Sequence, residues 1–410
     1  MGASVSPAAS GSAIPGLIPL AGVYALFFAV AGALMPYLPV YLQYRGLTLA
    51  EIGLVLGLGM ALKVVAPHLW AALAERTGQR MRLVRLGVLA GLLVFSLLPL
   101  APDAFWPLAA LLLAYQFVWN AVLPQFEAVT LNHLGAKAGA YGRIRLWGSI
   151  GFVIAVLGAG AFTERVGIEW LVPVVGVMML LLFAQCATVA ESLSKRVSGA
   201  VGESGTRSPF AAHLLRPAVV AFLISAALMQ ASHGPYYVFF TLHLESLGML
   251  RTHVAFLWIL GVVAEIVMFA LAPRLLSSVS ARRLLVLCML VAVLRWLLMA
   301  VAGASIVLLV VGQLCHAVTF GLYHAASMQL VRFYFPGAHL GRGQAMYASV
   351  GFGIGGALGS ASGGFIWTHG GPLAAYCAAA GMVAIAAVVL VCFRYPGADL
   401  EHVADSPRCL

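Results

Sequence analysis

Residues 261–276 read GVVAEIVMFALAPRLL. One carboxylate, Glu265, stands in an apolar run that extends from Val254 to Pro273. About twenty apolar residues make a helix long enough to cross a bilayer. A charge in the middle of such a helix costs on the order of a few kcal/mol or more, so it is by default a functional residue. The reading of this stretch therefore decides the fold: it is a core helix of a soluble domain or a membrane helix built around a carboxylate.

Composition decides for the membrane. The chain has 410 residues, 62% of them hydrophobic and only 9% charged, with a mean hydropathy of +1.01. Soluble domains carry about 25% charged residues, so this chain is too poor in charge to cover a water-facing surface. The 44 glycines suit helices that approach closely in lipid. No strand-period alternation recurs, which speaks against a β-barrel. The start, MGASVSPAASGSAIPG, has neither a basic stretch nor a small-residue cleavage site, and no cleaved signal peptide is expected. The six cysteines form no CxxC pair and are read as small core residues, so no disulfide or metal framework is expected.

Apolar runs predict twelve spans, near 17–43, 50–74, 83–101, 104–130, 143–163, 169–189, 217–243, 252–275, 284–302, 305–330, 342–367 and 371–394. The polar stretch 190–216 divides them into two sets of six. The expected organisation is an N-terminal bundle (1–189), a cytoplasmic linker (190–216), a C-terminal bundle (217–394) and a cytoplasmic tail (395–410). Most of the 23 Lys and Arg fall in one set of loops, while the other set receives Arg45, Arg165 and Arg251. The positive-inside rule puts the rich side and both termini in the cytoplasm. The net charge of +10 thus reads as topology, with anionic lipid as neighbour rather than nucleic acid.

The halves repeat. GMALKVV (59–65) aligns with GVVAEIV (261–267) at an offset of 202, placing Lys63 opposite Glu265. SIGFVI (149–154) aligns with SVGFGI (349–354), and MPY (35–37) with GPY (234–236). Parallel six-helix repeats with a site at their interface characterise one class of secondary transporter.

The loop AALAERTGQR (71–80) resembles the loop motif of the major facilitator superfamily, with Arg76, Gly78 and Arg80 in place and Glu75 standing for the usual Asp. YGRIRLWGSIGFVI (141–154), LGVVAEIVMFAL (260–271), LRW (294–296) and QLCHAVTF (313–320) resemble the 3-phenylpropionate permease family, related to sugar and nucleoside proton symporters. The resemblance implies an all-α membrane protein of twelve transmembrane helices. It also implies proton-coupled uptake of a small aromatic carboxylate across a bacterial inner membrane. A neutral sugar or nucleoside is the alternative cargo, and a non-transporting membrane sensor the alternative class.

Four charges sit inside spans: Lys63, Glu127, Glu265 and Arg295. Lys63, Glu265 and Arg295 are expected to share one level near a central cavity. Burial disfavours a carboxylate's charge and a nearby cation restores it, so Glu265 beside Arg295 is expected to couple a proton to movement. The structural alternative is a permanent ion pair locking spans 8 and 9. With Glu265 protonated, Lys63 and Arg295 are free to meet an anionic substrate, Arg295 through its planar fork. Lys63 has the alternative of reaching toward an interface.

Polar stripes point to a lined path. Gln313, His316, Phe320, Tyr323 and Ser327 share one face of span 10, Gln230, His233 and Tyr237 one face of span 7, and Gln116, Asn120 and Glu127 one face of span 4. The alternative for each is helix–helix hydrogen bonding. His316 and His233 are candidate proton relays, because histidine titrates near neutrality. Tyr37, Tyr236 and Tyr237, beside Pro36, Pro39 and Pro235, are expected to stack on an aromatic substrate near kinked gating helices. Glu75 with Arg76, and Glu127 with Arg145, are the expected gate contacts. No HExxH, GxSxG, Walker loop or metal-spaced His/Cys cluster is found, so an enzyme is not expected. No cofactor is expected; the energy source is the proton gradient, the unit a monomer, and the partners a small molecule, protons and lipid.

Overall fold

The computed structural model describes residues 17–135, 140–191 and 210–393. Most of the expected linker and all of the expected tail lie outside the described residues. The first half consists of α1 (Leu17–Tyr44), α2 (Leu49–Thr77), α3 (Arg80–Ser96), α4 (Phe105–Leu134), α5 (Tyr141–Val166) and α6 (Leu171–Ala187). A short helix α7 (Phe210–Leu214) precedes α8 (Pro217–Ser246), α9 (Arg251–Ser278) and α10 (Ala281–Val301). Helices α11 (Ile306–His316) and α12 (Tyr323–Tyr334) are joined by a π-helical segment, Ala317–Leu322. Helices α13 (Leu340–Ala348) and α14 (Gly356–Cys392) are joined by a second one, Ser349–Gly355.

Eleven of these stretches are long and apolar enough to cross a membrane, and the last, Gly337–Cys392, has 56 residues. That is more than twice the roughly twenty residues a bilayer needs. Gly371 breaks it, with φ 68° and ψ −172°, a conformation open to glycine, and Pro372 starts the next helix. Twelve spans result. Helix ends elsewhere follow local chemistry. Thr48 accepts from the Glu51 N–H while Glu51 accepts from the Thr48 N–H, a capping box that starts α2. Gly78, at φ 68°, ends α2 by donating to the Ala74 carbonyl. Glu191 accepts from the N–H groups of Met81 and Arg82 at the start of α3. Pro36 and Pro39 sit inside α1 and Pro235 inside α8, and each helix runs on through them.

Small residues set the packing. A methyl group at Gly32 would stand 2.6 Å from the Phe152 carbonyl oxygen, so α1 and α5 touch backbone to backbone. The second half repeats this with α8 against α14, where Gly355 and Gly359 face the backbone of Ala227 and Ala231. Large apolar side chains face outward, among them Ile154, Leu358 and Phe365, each more than 60% exposed. Their exposure fits contact with acyl chains.

The halves meet chiefly along two seams, α2 with α14 and α5 with α9, with α1 also touching α8. The first is smooth: a methyl group at Gly53 or Gly57 would stand 2.6 or 2.7 Å from the carbonyl oxygens of Ser360 or Ala357. The second ends in a polar clasp. Glu164 accepts from the Thr252 N–H (2.8 Å) and hydroxyl (2.9 Å), and Arg251 donates to the Thr163 carbonyl (2.7 Å) while paired with Glu245. Among the described residues, the hydrogen bonds that cross between the halves gather at this arginine-poor end. Nearby, Arg45 pairs with Asp103 and donates to the carbonyls of Leu98 and Ala101, fastening the turn before α4.

Candidate functional site

Between the halves lies a cavity of about 640 Å³. Its lining includes Pro67 and His68 of α2, Pro124 of α4 and Ala345 of α13, so it extends toward the arginine-rich end, opposite the clasp. Lys63 is the one formal charge among its lining residues, with His68 titratable. The wall contributed by the first half is aromatic. Phe27 stacks on Trp119 with centroids 4.6 Å apart and planes 6° apart, and Tyr115 stacks on Trp119 at 5.5 Å. Gln116 and Asn120 supply amides, and the Asn120 side-chain nitrogen has no hydrogen-bond partner. Tyr237 and Phe352 contribute rings from the second half.

Behind that wall, wholly within the second half, is a buried polar network. Arg295 of α10 is 0% exposed. Its Nε donates to the Gly312 carbonyl at 2.9 Å. Its Nη1 is shared among His316 Nδ1 (3.1 Å), Thr319 Oγ1 (3.1 Å) and His233 Nε2 (3.4 Å). The guanidinium also lies against the rings of Tyr236 and Trp296, 4.6 and 4.4 Å from their centroids. The Met229 carbonyl 2.9 Å from His233 Nδ1 can only accept, so that nitrogen carries the proton and Nε2 receives Arg295. His316 receives Arg295 at Nδ1, which leaves its proton on Nε2, 3.7 Å from Glu265 Oε2. The π-helical segment begins at the next residue, and a wider turn of this kind often marks a functional site. Gly321 within it admits Glu265: a methyl group there would stand 3.3 Å from Glu265 Cγ.

This geometry corrects several expectations. Glu265 and Arg295 are not direct partners, because the His316 ring stands between them. Lys63 lines the cavity, but Glu265 and Arg295 do not, so the three charges are not in one chamber. Of the rings expected around a substrate, only Tyr237 lines the cavity. Tyr37 is fully buried and donates to the Val156 carbonyl, and Tyr236 donates to Gln313 Oε1 at 2.8 Å. Gln230, His233, Gln313 and Tyr323 are likewise buried away from the lining, and Phe320 stacks on His316 at 5.2 Å. Glu75 and Arg76 are exposed, with no hydrogen bond or ion pair among the described residues, so they form no clasp here. Arg145 makes no ion pair with Glu127; it lies 3.8 Å from the Phe28 ring centroid, while Glu127 accepts from Tyr141 at 3.1 Å. Cys377 and Cys392 are exposed rather than core residues.

Two rings join the cavity to the network. Tyr237 lines the cavity and stacks on His233 (5.8 Å), with its edge toward His316 (6.3 Å). Phe352 lines it and meets Phe320 at 6.3 Å.

A two-half bundle with smooth and clasped seams, a cavity between the halves extending toward one end and a buried charge network fits a rocking-bundle architecture. The model of the MFS_1 like family matches residues 17–378. The chain belongs to the MFS_1 like family. It is 30% identical over 360 residues to the probable 3-phenylpropionic acid transporter of Escherichia coli (strain K12), covering 85% of this chain and 90% of that one. It is 28% identical over 335 residues to the maltose permease of Geobacillus stearothermophilus, covering 81% and 83%. Its structure is similar to that of the nucleoside transporter NupG, with a TM-score of 0.82 at 17% identity over 92% of this chain and 99% of that one. The D-xylose-proton symporter gives a TM-score of 0.71 at 13% identity over 95% and 99%. At such identities the two structures establish the fold alone. As a member of the MFS_1 like family, the chain is a multi-pass membrane protein and a secondary transporter of a small molecule, not an enzyme.

The Phe27–Trp119–Tyr115 wall escaped the sequence reading. An aromatic residue in an apolar span looks the same whether it meets lipid or a cavity. The available signal was its company: Tyr115 and Trp119 flank Gln116 on α4, and Asn120 follows.

Proposed function

We propose that the chain is a proton-coupled symporter that imports a small aromatic carboxylate such as 3-phenylpropionate by alternating access. The observation that carries this is the cavity: one cation, Lys63, on an otherwise largely apolar and aromatic wall. A carboxylate taken from water into such a wall needs a paired cation, and a phenyl ring gains by stacking on Phe27 and Trp119. Proton coupling is assigned to Glu265, with His316 passing its state to Arg295. Tyr237 and Phe352 carry the substrate's presence from cavity to network. Arg295 then holds the network together and does not touch the substrate in this conformation. The arginine-rich end faces the cytoplasm of a bacterial inner membrane, with both termini on that side. The proton gradient is the energy source, lipid surrounds the bundle, and the monomer is the working unit.

The test is uptake of labelled 3-phenylpropionate into proteoliposomes, with and without an inward proton gradient. Gradient-driven accumulation by wild type is expected. Absence of any uptake would remove the carboxylate and leave the family membership. A second reading, a neutral sugar or nucleoside, draws on Gln116 and the unpartnered Asn120 amide in the cavity. Competition by maltose or a nucleoside, with none by 3-phenylpropionate, would select it.

A further inference from the structure

Unpartnered polar groups gather in one other place in the second half. The hydroxyls of Tyr323, Ser327 and Tyr347 and Nδ1 of His324 are buried without hydrogen-bond partners. The first three residues are 1%, 0% and 2% exposed. Both tyrosine hydroxyls approach Ser327 closely enough to interact with it, yet none of the three forms a well-aligned hydrogen bond. A buried polar group left unpaired costs about 1–3 kcal/mol. Three buried hydroxyls clustered around Ser327 without partners are groups that one water can pair at once.

The cluster lies one helical turn from the proton-coupling carboxylate. Glu265 rests on Gly321, and His324 is one helical turn further toward the arginine-rich end. Phe269, one turn beyond Glu265 on α9, meets the His324 ring at 6.4 Å. Tyr347 and Phe352 meet the same ring at 6.1 and 6.2 Å. The Phe320–Phe352 contact stands between this region and the cavity. The titratable and charged groups on the surrounding elements are Glu265 on α9, which faces His316 of α11 and feels the charge of Arg145 on α5, with Tyr323 on α12, Tyr347 on α13 and Cys288 on α10.

We propose that His324 is a second protonation site, through which the proton on Glu265 exchanges with the arginine-rich end by way of water held by the Tyr323, Ser327 and Tyr347 hydroxyls. The imidazole takes a proton on one nitrogen and gives one up from the other, so no further reactant is needed. This rests on the assignment of Glu265 as the coupling carboxylate. The alternative route is direct, since the Glu265 side chain is 20% exposed.

The experiment follows Glu265 itself. Infrared difference spectra of the purified full-length protein after a pH jump report its carboxylic-acid band, assigned by its loss in Glu265→Gln. His324→Phe is expected to lengthen the protonation time constant about tenfold, which is 1.36 kcal/mol on a barrier, with the midpoint unchanged. Ser327→Ala, a small change that keeps both rings, is expected to slow it about threefold and decides the matter if His324→Phe does not fold. Unchanged time constants overturn the proposal in favour of the direct route. A shifted midpoint at unchanged rate also overturns it and makes His324 a structural neighbour. A wild-type protein with no titrating Glu265 band overturns the coupling assignment as well, so the two failures are distinguishable.

Discussion

Lys63 and Glu265 occupy equivalent places in the two halves, 202 residues apart, yet their surroundings differ. Lys63 opens into the cavity among rings and amides, with no acidic residue in the lining. Glu265 rests on a glycine of a π-helical turn and faces a histidine that in turn receives an arginine. One position of the repeat lines the cavity between the halves, and the other stands at the edge of a buried histidine–arginine network. Repeat symmetry thus fixes where a charge can be placed, while the neighbouring helices decide what it meets.

The sharpest way to break this comparison is Glu265→Gln. Gradient-driven accumulation is expected to fall about a hundredfold, equivalent to roughly 2.7 kcal/mol, with exchange of substrate across equal pH retained. Full gradient-driven uptake in that variant would reduce Glu265 to a structural group. Lys63→Met comes next. It is expected to raise KM for the carboxylate about tenfold, near 1.4 kcal/mol of lost pairing, while leaving the response to pH intact. An equal loss for the uncharged amide analogue would show that Lys63 shapes the cavity rather than pairing with charge. Tyr237→Ala tests the link between the two sites. Coupling should weaken about fivefold, the low end of typical coupling energies, measured as substrate moved per proton. The smallest effect belongs to the clasp. Glu164→Gln keeps an acceptor but loses its charge, and should shift the balance of end-open forms about threefold, within the 0.5–1.5 kcal/mol of a net hydrogen bond. Cysteine accessibility at Ala345 of a cysteine-free background would read it.

The twelve spans were legible because hydrocarbon demands long apolar runs, and even the break at Gly371–Pro372 is written as a glycine and a proline. Glu265 and Arg295 stood out as candidates because charge is rare in such runs. Their separation by His316 was not legible. Spacing along one helix tells which residues share its face, but not how far that helix is rotated against its neighbours. Tyr37 failed for the same reason: its side chain turns toward α5, and its hydroxyl donates to a carbonyl there. Glu75 and Arg76 failed differently. A loop motif names residue types, while the partners of an exposed side chain depend on which end of the bundle is closed.

The seam between α2 and α14 carries a consequence for motion. Gly53 and Gly57 bring backbone against backbone, and among the described residues no hydrogen bond ties the two helices across it. Contacts of this kind are dispersion, each only about 0.1–0.2 kcal/mol and indifferent to small changes of register. The seam can therefore act as a low-friction bearing, on which the halves slide without breaking a directional bond. A bulkier side chain at Gly57 would jam that bearing while leaving both chemical sites untouched.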